Sequence, residues 1–266
     1  MAPVTYDLTG RVALITGGAR GIGFETARAL RARGAQVAIA DLDKESIERA
    51  AAALGGDAFG LVVDVTSAKR MATAVERIVK RFGKLDVVVA NAGIANTPGT
   101  ARVIDPDQFE RVLDVNLMGV WRTVRPALPH VIDNRGHVVV VASVYAFTNG
   151  AGSAPYAMAK AGVEQLVRSA TTAYFGFIDT EMVHEAIDRN PMGQDLLKVA
   201  PAPLRKRLPP SAAGEGIARA IERRRPLVML PKRWMVMSAL RGLNPLLDEL
   251  TNRHAAAAAL LRRLDA

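Results

Sequence analysis

At 266 residues, half of them apolar and with a mean hydropathy of +0.12, the chain can bury a core too large for global disorder and is short for two domains of about 150 residues each. The 35 Lys and Arg against 26 Asp and Glu leave a net charge of +9, which raises the question of an acidic partner. Zero Cys excludes disulfides, thiolate nucleophiles and Cys-type zinc sites and fits a reducing compartment.

The start, Met-Ala-Pro-Val-Thr-Tyr-Asp, lacks the basic and apolar regions of a signal peptide, so the expected localisation is cytoplasmic. Val12 to Thr16 then reads as a buried strand running into Thr16-Gly17-Gly18-Ala19-Arg20-Gly21-Ile22-Gly23 and a helix over Phe24 to Arg33. Glycines between strand and helix let the backbone turn tightly and approach a pyrophosphate, which rests on unpaired N–H groups and the positive end of the helix dipole. The second strand, Gln36 to Ala40, is closed by Asp41, eighteen residues after Gly23. A carboxylate there accepts hydrogen bonds from ribose hydroxyls and repels a 2′-phosphate, which favours NAD over NADP. Arg20 is either an attraction for that phosphate or a solvated loop charge, and Asp43 adds negative charge nearby.

A helix over Lys44 to Leu54 leads to a third strand, Gly60 to Val65, where Asp64 and Val65 either reach an adenine edge or, through Asp64, cap the helix beginning near Ser67. After a helix over Lys69 to Phe82 comes the strand Asp86 to Ala90, ending in Asn91-Ala92-Gly93, small enough for a flat ring or ribose to lie against the backbone. Gln108 to Val131 has helical spacing and carries Asn116, a candidate anchor for water or backbone in proton supply. His137 to Ala142 is the fifth strand, with Ser143 at its end able to hydrogen-bond a substrate oxygen.

The uncharged stretch Gly136 to Ala159 is long enough to cross a bilayer but is interrupted by Asn149, Gly150, Gly152, Ser153 and Pro155, which divide it into strand, loop and helix start. On that helix, Tyr156 and Lys160 stand at i,i+4 and share a face. An ammonium beside a phenol favours the phenolate and lowers a pKa ordinarily near 10, giving a usable acid/base. Later elements are a strand Thr171 to Phe175, a loop-rich region 181–210 around a helical Gln194 to Val199 that is expected to be a substrate lid, a helix Ser211 to Arg223 with Ser211 as N-cap, and a last edge strand Pro226 to Leu230. Met235 to Leu264 reads as two helical pieces, with Met235, Val236, Leu240, Leu246, Leu247 and Leu250 as core or as a cover over a cleft. Ten basic residues between Lys198 and Arg233 against Glu215 and Glu222 supply +8 of the +9. The four histidines, His130, His137, His184 and His254, lack ligand spacing, and no metal is expected.

Strand and helix alternation predicts a doubly wound parallel α/β sheet in a single domain, 1–233, with a helical C-terminal extension over 234–266. The motifs in their order resemble the short-chain dehydrogenase/reductases over Leu8 to Met182. That resemblance implies a Rossmann-type fold and hydride transfer between a nicotinamide cofactor and an alcohol or ketone. It assigns proton exchange to Tyr156, nicotinamide-ribose binding to Lys160, substrate orientation to Ser143 and a proton relay to Asn116. Ile178 and Thr180 match positions that hold the carboxamide and pyrophosphate. Ile94, Val144 to Phe147 (Tyr145 among them) and Met182 through Leu208 fall on the substrate side, and their apolar character predicts a hydrophobic secondary alcohol or ketone. A homodimer or homotetramer is implied, with no nucleic acid partner and no transmembrane segment.

Two departures from the family stand out. Phe175-Gly176 replaces the usual Pro-Gly, and only fifteen residues separate Lys160 from Phe175, about half the family's interval. Either the helix over Pro155 to Ser169 is shortened, or residues following Arg168 or Ser169 are absent from the chain as written. The alternatives to alcohol oxidation are enoyl reduction, epimerisation or dehydration on the same fold, and a cofactor-sensing or membrane-surface binding protein using the basic window and tail.

Overall fold

The computed structural model describes residues 5–148, 150–166, 170–199, 201–243, 246, 249 and 255–265. Seven parallel strands form one sheet in the order β3-β2-β1-β4-β5-β6-β7. They are β1 (Val12–Thr16), β2 (Gln36–Asp41), β3 (Phe59–Val62), β4 (Val87–Ala90), β5 (His137–Val141), β6 (Thr171–Phe175) and β7 (Leu227–Leu230). Val and Ile dominate because both faces are covered: Val12, Leu14, Val88 and Val140 face one core, and Ala13, Ile15, Val89 and Val139 the other. β7 lies at the sheet edge, where the sequence puts it.

The helices that matter for the site are α1 (Gly21–Arg31), α2 (Lys44–Leu54), α3 (Ala68–Phe82), α4 (Pro106–Leu113), α5 (Gly119–Asp133) and α6 (Ala154–Leu166). α4 and α5 belong to the single helix expected over Gln108 to Val131, but a π-helical turn, Asp114–Met118, divides them. β3 ends at Val62, so Asp64 and Val65 stand in the following loop, and the N-cap of α3 is Ser67, accepting from Arg70 N. Ser211 is not an N-cap. The helix Pro210–Glu222 begins one residue earlier behind Pro209, whose fixed φ suits a helix entrance and which brings no side-chain cap. α6 ends at Leu166 and β6 begins at Thr171; residues 167–169, on which the question of the short interval rests, lie outside the described residues.

The strand order places the ends of β1 and β4 side by side with their helices leaving to opposite faces, which opens a crevice at the carboxyl edge of the sheet. No helix among the described residues is long and apolar enough to cross a membrane. The basic window is engaged along much of its length: Arg207 pairs with Asp188 at 2.5 Å and Asp179 at 3.3 Å, Lys198 with Asp195 at 2.9 Å, and Arg224 stacks on Tyr6 at 4.3 Å.

Candidate active site

Two cavities meet at the carboxyl edge. The first, of about 600 Å³, is lined by Gly17, Arg20, Gly21, Ile22, Asp41, Asp64, Val65, Asn91, Ala92, Gly93, Tyr156, Lys160, Ile178 and Thr180. Every expected cofactor residue but Gly23 is there, and Gly23 lies directly behind. A Cβ on Gly23 would stand 2.1 Å from Gly17 O, and one on Gly17, whose φ is +64°, would stand 2.9 Å from Ala92 Cα. Only glycine fits either position, and the turn it permits leaves the first N–H groups of α1 facing open space. This cradle suits a pyrophosphate.

Asn91 has a role its sequence position did not suggest. Its Nδ2 donates to Thr16 O at 2.9 Å and Gly17 O at 3.1 Å, while Thr16 Oγ1 accepts from Asn91 N at 3.1 Å and Ala92 N at 3.2 Å. These bonds stitch the end of β4 to the glycine turn. Asp41 accepts from Ala19 N at 3.1 Å and Leu42 N at 2.9 Å, so its carboxylate is fixed at the cavity wall. Asp43 caps α2 through Ser46 N at 2.7 Å and feels the Arg20 charge. Asp64 is turned onto its own loop, accepting from Thr66 N and Oγ1 at 2.8 Å, yet still lines the cavity.

The π-helical turn presents Asn116, fully buried, to the loop after β4. Its Oδ1 accepts from Ile94 N at 2.8 Å and its Nδ2 donates to Ile94 O at 2.7 Å. Both bonds go to backbone, one of the two partners the sequence left open for this side chain. Lys160 Nζ donates to Val141 O at 2.8 Å and lies 5.6 Å from the centre of the Tyr156 ring. Ser143, at the end of β5, donates to Phe175 O at 3.4 Å and hydrogen-bonds the Tyr156 phenol. Tyr145 packs edge-on against Tyr156 with centroids 5.7 Å apart.

Burial sets the protonation of this group. It pushes the Tyr156 phenol up to about 12, with the Ser143 hydrogen bond pulling the other way and Tyr145 adding to the rise. Burial also pushes the Lys160 ammonium down to about 8. The lowered phenol pKa expected from the Tyr-Lys spacing is therefore not found: Lys160 is spent on a carbonyl, and desolvation of the phenolate outweighs attraction at this separation.

The second cavity, of about 860 Å³, opens from Ser143 and Tyr156 and takes in Val144, Tyr145 and Met182, all expected on the substrate side. Ile94 lies instead on the first cavity, and Phe147 packs inward with Tyr174, Met229 and Trp234. Leu196 and Leu197, from the helix Pro191–Val199, fall in the expected segment Met182 through Leu208 and line the second cavity too, whereas other walls were not singled out in the sequence: Asn96 and Pro98 from the loop after β4, Trp234 and Met237 from the helix Trp234–Ala239, and Leu260 and Leu264 from the C-terminal helix Ala255–Leu264. The expected cover residues Met235, Val236, Leu240 and Leu246 are exposed, the first two because the helix Trp234–Ala239 turns Trp234 and Met237 inward; Leu247 and Leu250 lie outside the described residues. Among the described residues, no Asp, Glu, Lys, Arg or His lines this cavity. At the seam, a Cβ on Gly176, the glycine kept from Pro-Gly, would fall 2.3 Å from Trp234 Nε1, while Phe175, the residue that departs from the pattern, is buried in the core.

A family model described as short chain dehydrogenase matches residues 11–188. A cis-4-hydroxycyclohexanecarboxylate dehydrogenase of Sinomonas cyclohexanicum is 40% identical over 167 residues, 62% of this chain and 67% of that one. Two further curated relatives are matched over 65% and 59% of their own lengths, so the chain spans about two thirds or less of these relatives. A short chain dehydrogenase/reductase from Burkholderia phymatum, solved in complex with NAD, has a TM-score of 0.81 at 21% identity, covering 91% of this chain and 96% of that one. A 3-ketoacyl-(acyl-carrier-protein) reductase from Brucella melitensis, complexed with NADH, has a TM-score of 0.72 at 27% identity, covering 84% of this chain and 97% of that one. With the matched span running from the glycine turn through Asn91, Asn116, Ser143, Tyr156 and Lys160, the chain belongs to the short-chain dehydrogenase family.

Proposed function

We propose that the protein is an NAD(P)-dependent oxidoreductase that interconverts a neutral, hydrophobic secondary alcohol and its ketone. The observation that carries the reading is the seam: Ser143 and Tyr156 line both cavities, so one phenol faces the nucleotide side and the apolar side together. A nicotinamide dinucleotide in the glycine-lined cavity would supply or accept the hydride.

Gly17, Gly21, Ile22 and Gly23 with the start of α1 would hold its pyrophosphate, Asp41 its adenosine ribose, and Ile178 and Thr180 its nicotinamide end. Ser143 fixes the substrate oxygen beside the phenol. At neutral pH a phenol near 12 keeps its proton and delivers it to an oxygen gaining negative charge, the reduction direction. In oxidation the phenol first gives its proton to solvent, and the phenolate oxygen then takes the carbinol proton as the hydride leaves the carbon; Lys160, 5.6 Å from the ring centre, supports that phenolate. Asn116 acts through Ile94, holding the loop that forms the floor between the cavities.

Among the described residues, tyrosine is the one ionisable type that lines the substrate cavity, which supports a neutral substrate, since a buried carboxylate or phosphate without a partner is costly. The fixed Asp41 carboxylate supports NAD over NADP. A homodimer or homotetramer is supported by the exposed apolar face of Met118, Trp121, Leu128 and Ile132, and cytoplasmic placement by zero Cys.

The test is a screen of NAD reduction over hydrophobic secondary alcohols and of NADH oxidation over their ketones. Wild-type turnover that collapses by about a thousandfold in Tyr156→Phe is expected. Activity confined to sugars or carboxylated alcohols, or retained by Tyr156→Phe, overturns the reading.

A further inference from the structure

Part of the wall of the second cavity comes from a helix remote in sequence from every catalytic candidate. Leu260 and Leu264 of the C-terminal helix are 7% and 3% exposed and line the cavity. Leu264 sits on Gly152: a Cβ built there would stand 3.4 Å from both Leu264 methyls and 3.1 Å from Leu196 Cδ1. Gly152 lies four residues before Tyr156, and its carbonyl accepts from Gly99 N at 3.1 Å and Asn96 Nδ2 at 3.0 Å. Leu264 therefore packs on the segment that leads into the reacting phenol, opposite the loop that carries Asn96.

The end of this helix is fastened on two sides. Asp265 accepts from Arg102 Nε at 3.0 Å and from Thr100 Oγ1, Arg102 also reaches the Asp265 carbonyl, and Thr100 N donates to Leu264 O at 3.3 Å. Arg263 Nη1 pairs with Asp195 Oδ2 at 2.7 Å on the helix Pro191–Val199, which supplies Leu196 and Leu197 to the same cavity. Ion pairs as exposed as these add little by themselves; what they do is hold two leucines at a fixed depth.

From this geometry we infer that Leu260 and Leu264 form the distal wall of the substrate site and set the length of apolar body that the enzyme accepts. The inference rests on the alcohol and ketone chemistry proposed above. A wall of two leucines, with no charge facing inward, stops an alkyl chain by contact and offers no group that a longer, polar-ended chain could use. Removing part of it admits longer chains, and enlarging it excludes them.

The experiment uses the full chain and the unbranched 2-alkanones from 2-butanone to 2-dodecanone, with NADH, in wild type, Leu264→Ala and Leu260→Phe. Leu264→Ala removes three carbons from the wall, so the optimum of kcat/KM is expected to move about two or three carbons longer. At the new optimum kcat/KM rises about tenfold over wild type, the discrimination one or two methylenes give in an apolar pocket. Leu260→Phe moves the optimum shorter, and it decides the matter if the alanine variant does not fold. Titrating the same ketones without cofactor gives an independent reading, because Trp234 lines this cavity and its fluorescence reports occupancy.

If wild type turns over the series and neither variant moves the optimum, the wall assignment is wrong and the proposed reaction stands. If no ketone is reduced but the fluorescence series keeps a length preference that Leu264→Ala lengthens, the wall stands and the reaction does not. Neither turnover nor fluorescence response with any ketone overturns both.

Discussion

Lys160 puts the energetics of the site to a direct test. It is 3% exposed, its ammonium donates to Val141 O, and burial takes its pKa from an ordinary 10.5 to about 8. At neutral pH that fall corresponds to about 3 kcal/mol of disfavoured charge in the folded state. Lys160→Met keeps most of the volume and removes the charge, at the loss of one hydrogen bond, about 1 to 2 kcal/mol. The variant should therefore be more stable than wild type at pH 7 by about 1 to 2 kcal/mol, a rise in Tm of about 2 to 8 °C for a domain of this size, while losing activity.

The pH dependence follows from the depressed pKa. Between about pH 8 and 10.5 the unfolded chain keeps a proton at this lysine that the folded chain has released. Wild-type stability consequently rises through that window, and the advantage of the variant vanishes above it. Urea melts of both proteins at pH 7 and above pH 10 measure this. A variant less stable than wild type at pH 7, or an advantage that persists at high pH, would refute the argument that charge burial at Lys160 opposes folding.

Gly23→Ala should weaken dinucleotide binding by about tenfold or more, because the added Cβ, 2.1 Å from Gly17 O and 2.7 Å from Asn91 Nδ2, forces the turn off its Asn91 bonds; NADH fluorescence titration reads the loss. Asp41→Ser removes the fixed carboxylate, and the ratio of NADP to NAD affinity is expected to rise about tenfold, with an unchanged ratio counting against a ribose role for Asp41. His137, held down to about 4 first by burial and then by the Arg224 charge, stays neutral in the fold while the unfolded chain protonates near 6.5, so stability is lost as pH falls from about 6.5 toward 4. His137→Gln, which can keep the contact to Thr171, should flatten that acid limb in thermal melts at pH 7 and 5.

The strands and the nucleotide crevice were legible because each is written locally. Val87–Ala90 and His137–Val141 are unbroken apolar runs, and the glycine turn stands between a strand and a helix. Tyr156 and Lys160 were legible for the same reason, being one helical turn apart. Their protonation was not, since it depends on how completely Tyr145 and the neighbouring strands exclude water. Asn91 and Asn116 could be named as site residues, but their partners, Gly17 and Ile94, are fixed by strand order and by a π-helical turn that hydrophobic spacing does not encode. The walls of the substrate cavity were hardest to see. The segment holding Leu196 could be placed there by resemblance, but Trp234 and Leu264 are ordinary apolar residues in separate segments, and only the tertiary fold brings them to Gly176 and Gly152.

The π-helical turn at Asp114–Met118 bears on how this sequence can change over evolutionary time. A π turn carries one residue more than the α repeat, which offsets the two flanking helices by about 100°. Upstream Val112 and downstream Val120, Val124, Ala127 and Val131 are buried on that offset phase, and Gly119 closes against Val65. Losing one residue between 114 and 118 would let the helix run regularly, yet would swing either the buried stripe of α5 or the amide of Asn116 away from its place. This stretch should therefore accept many side-chain exchanges but almost no change of length, a reading-frame-like constraint imposed by helix phase rather than by chemistry.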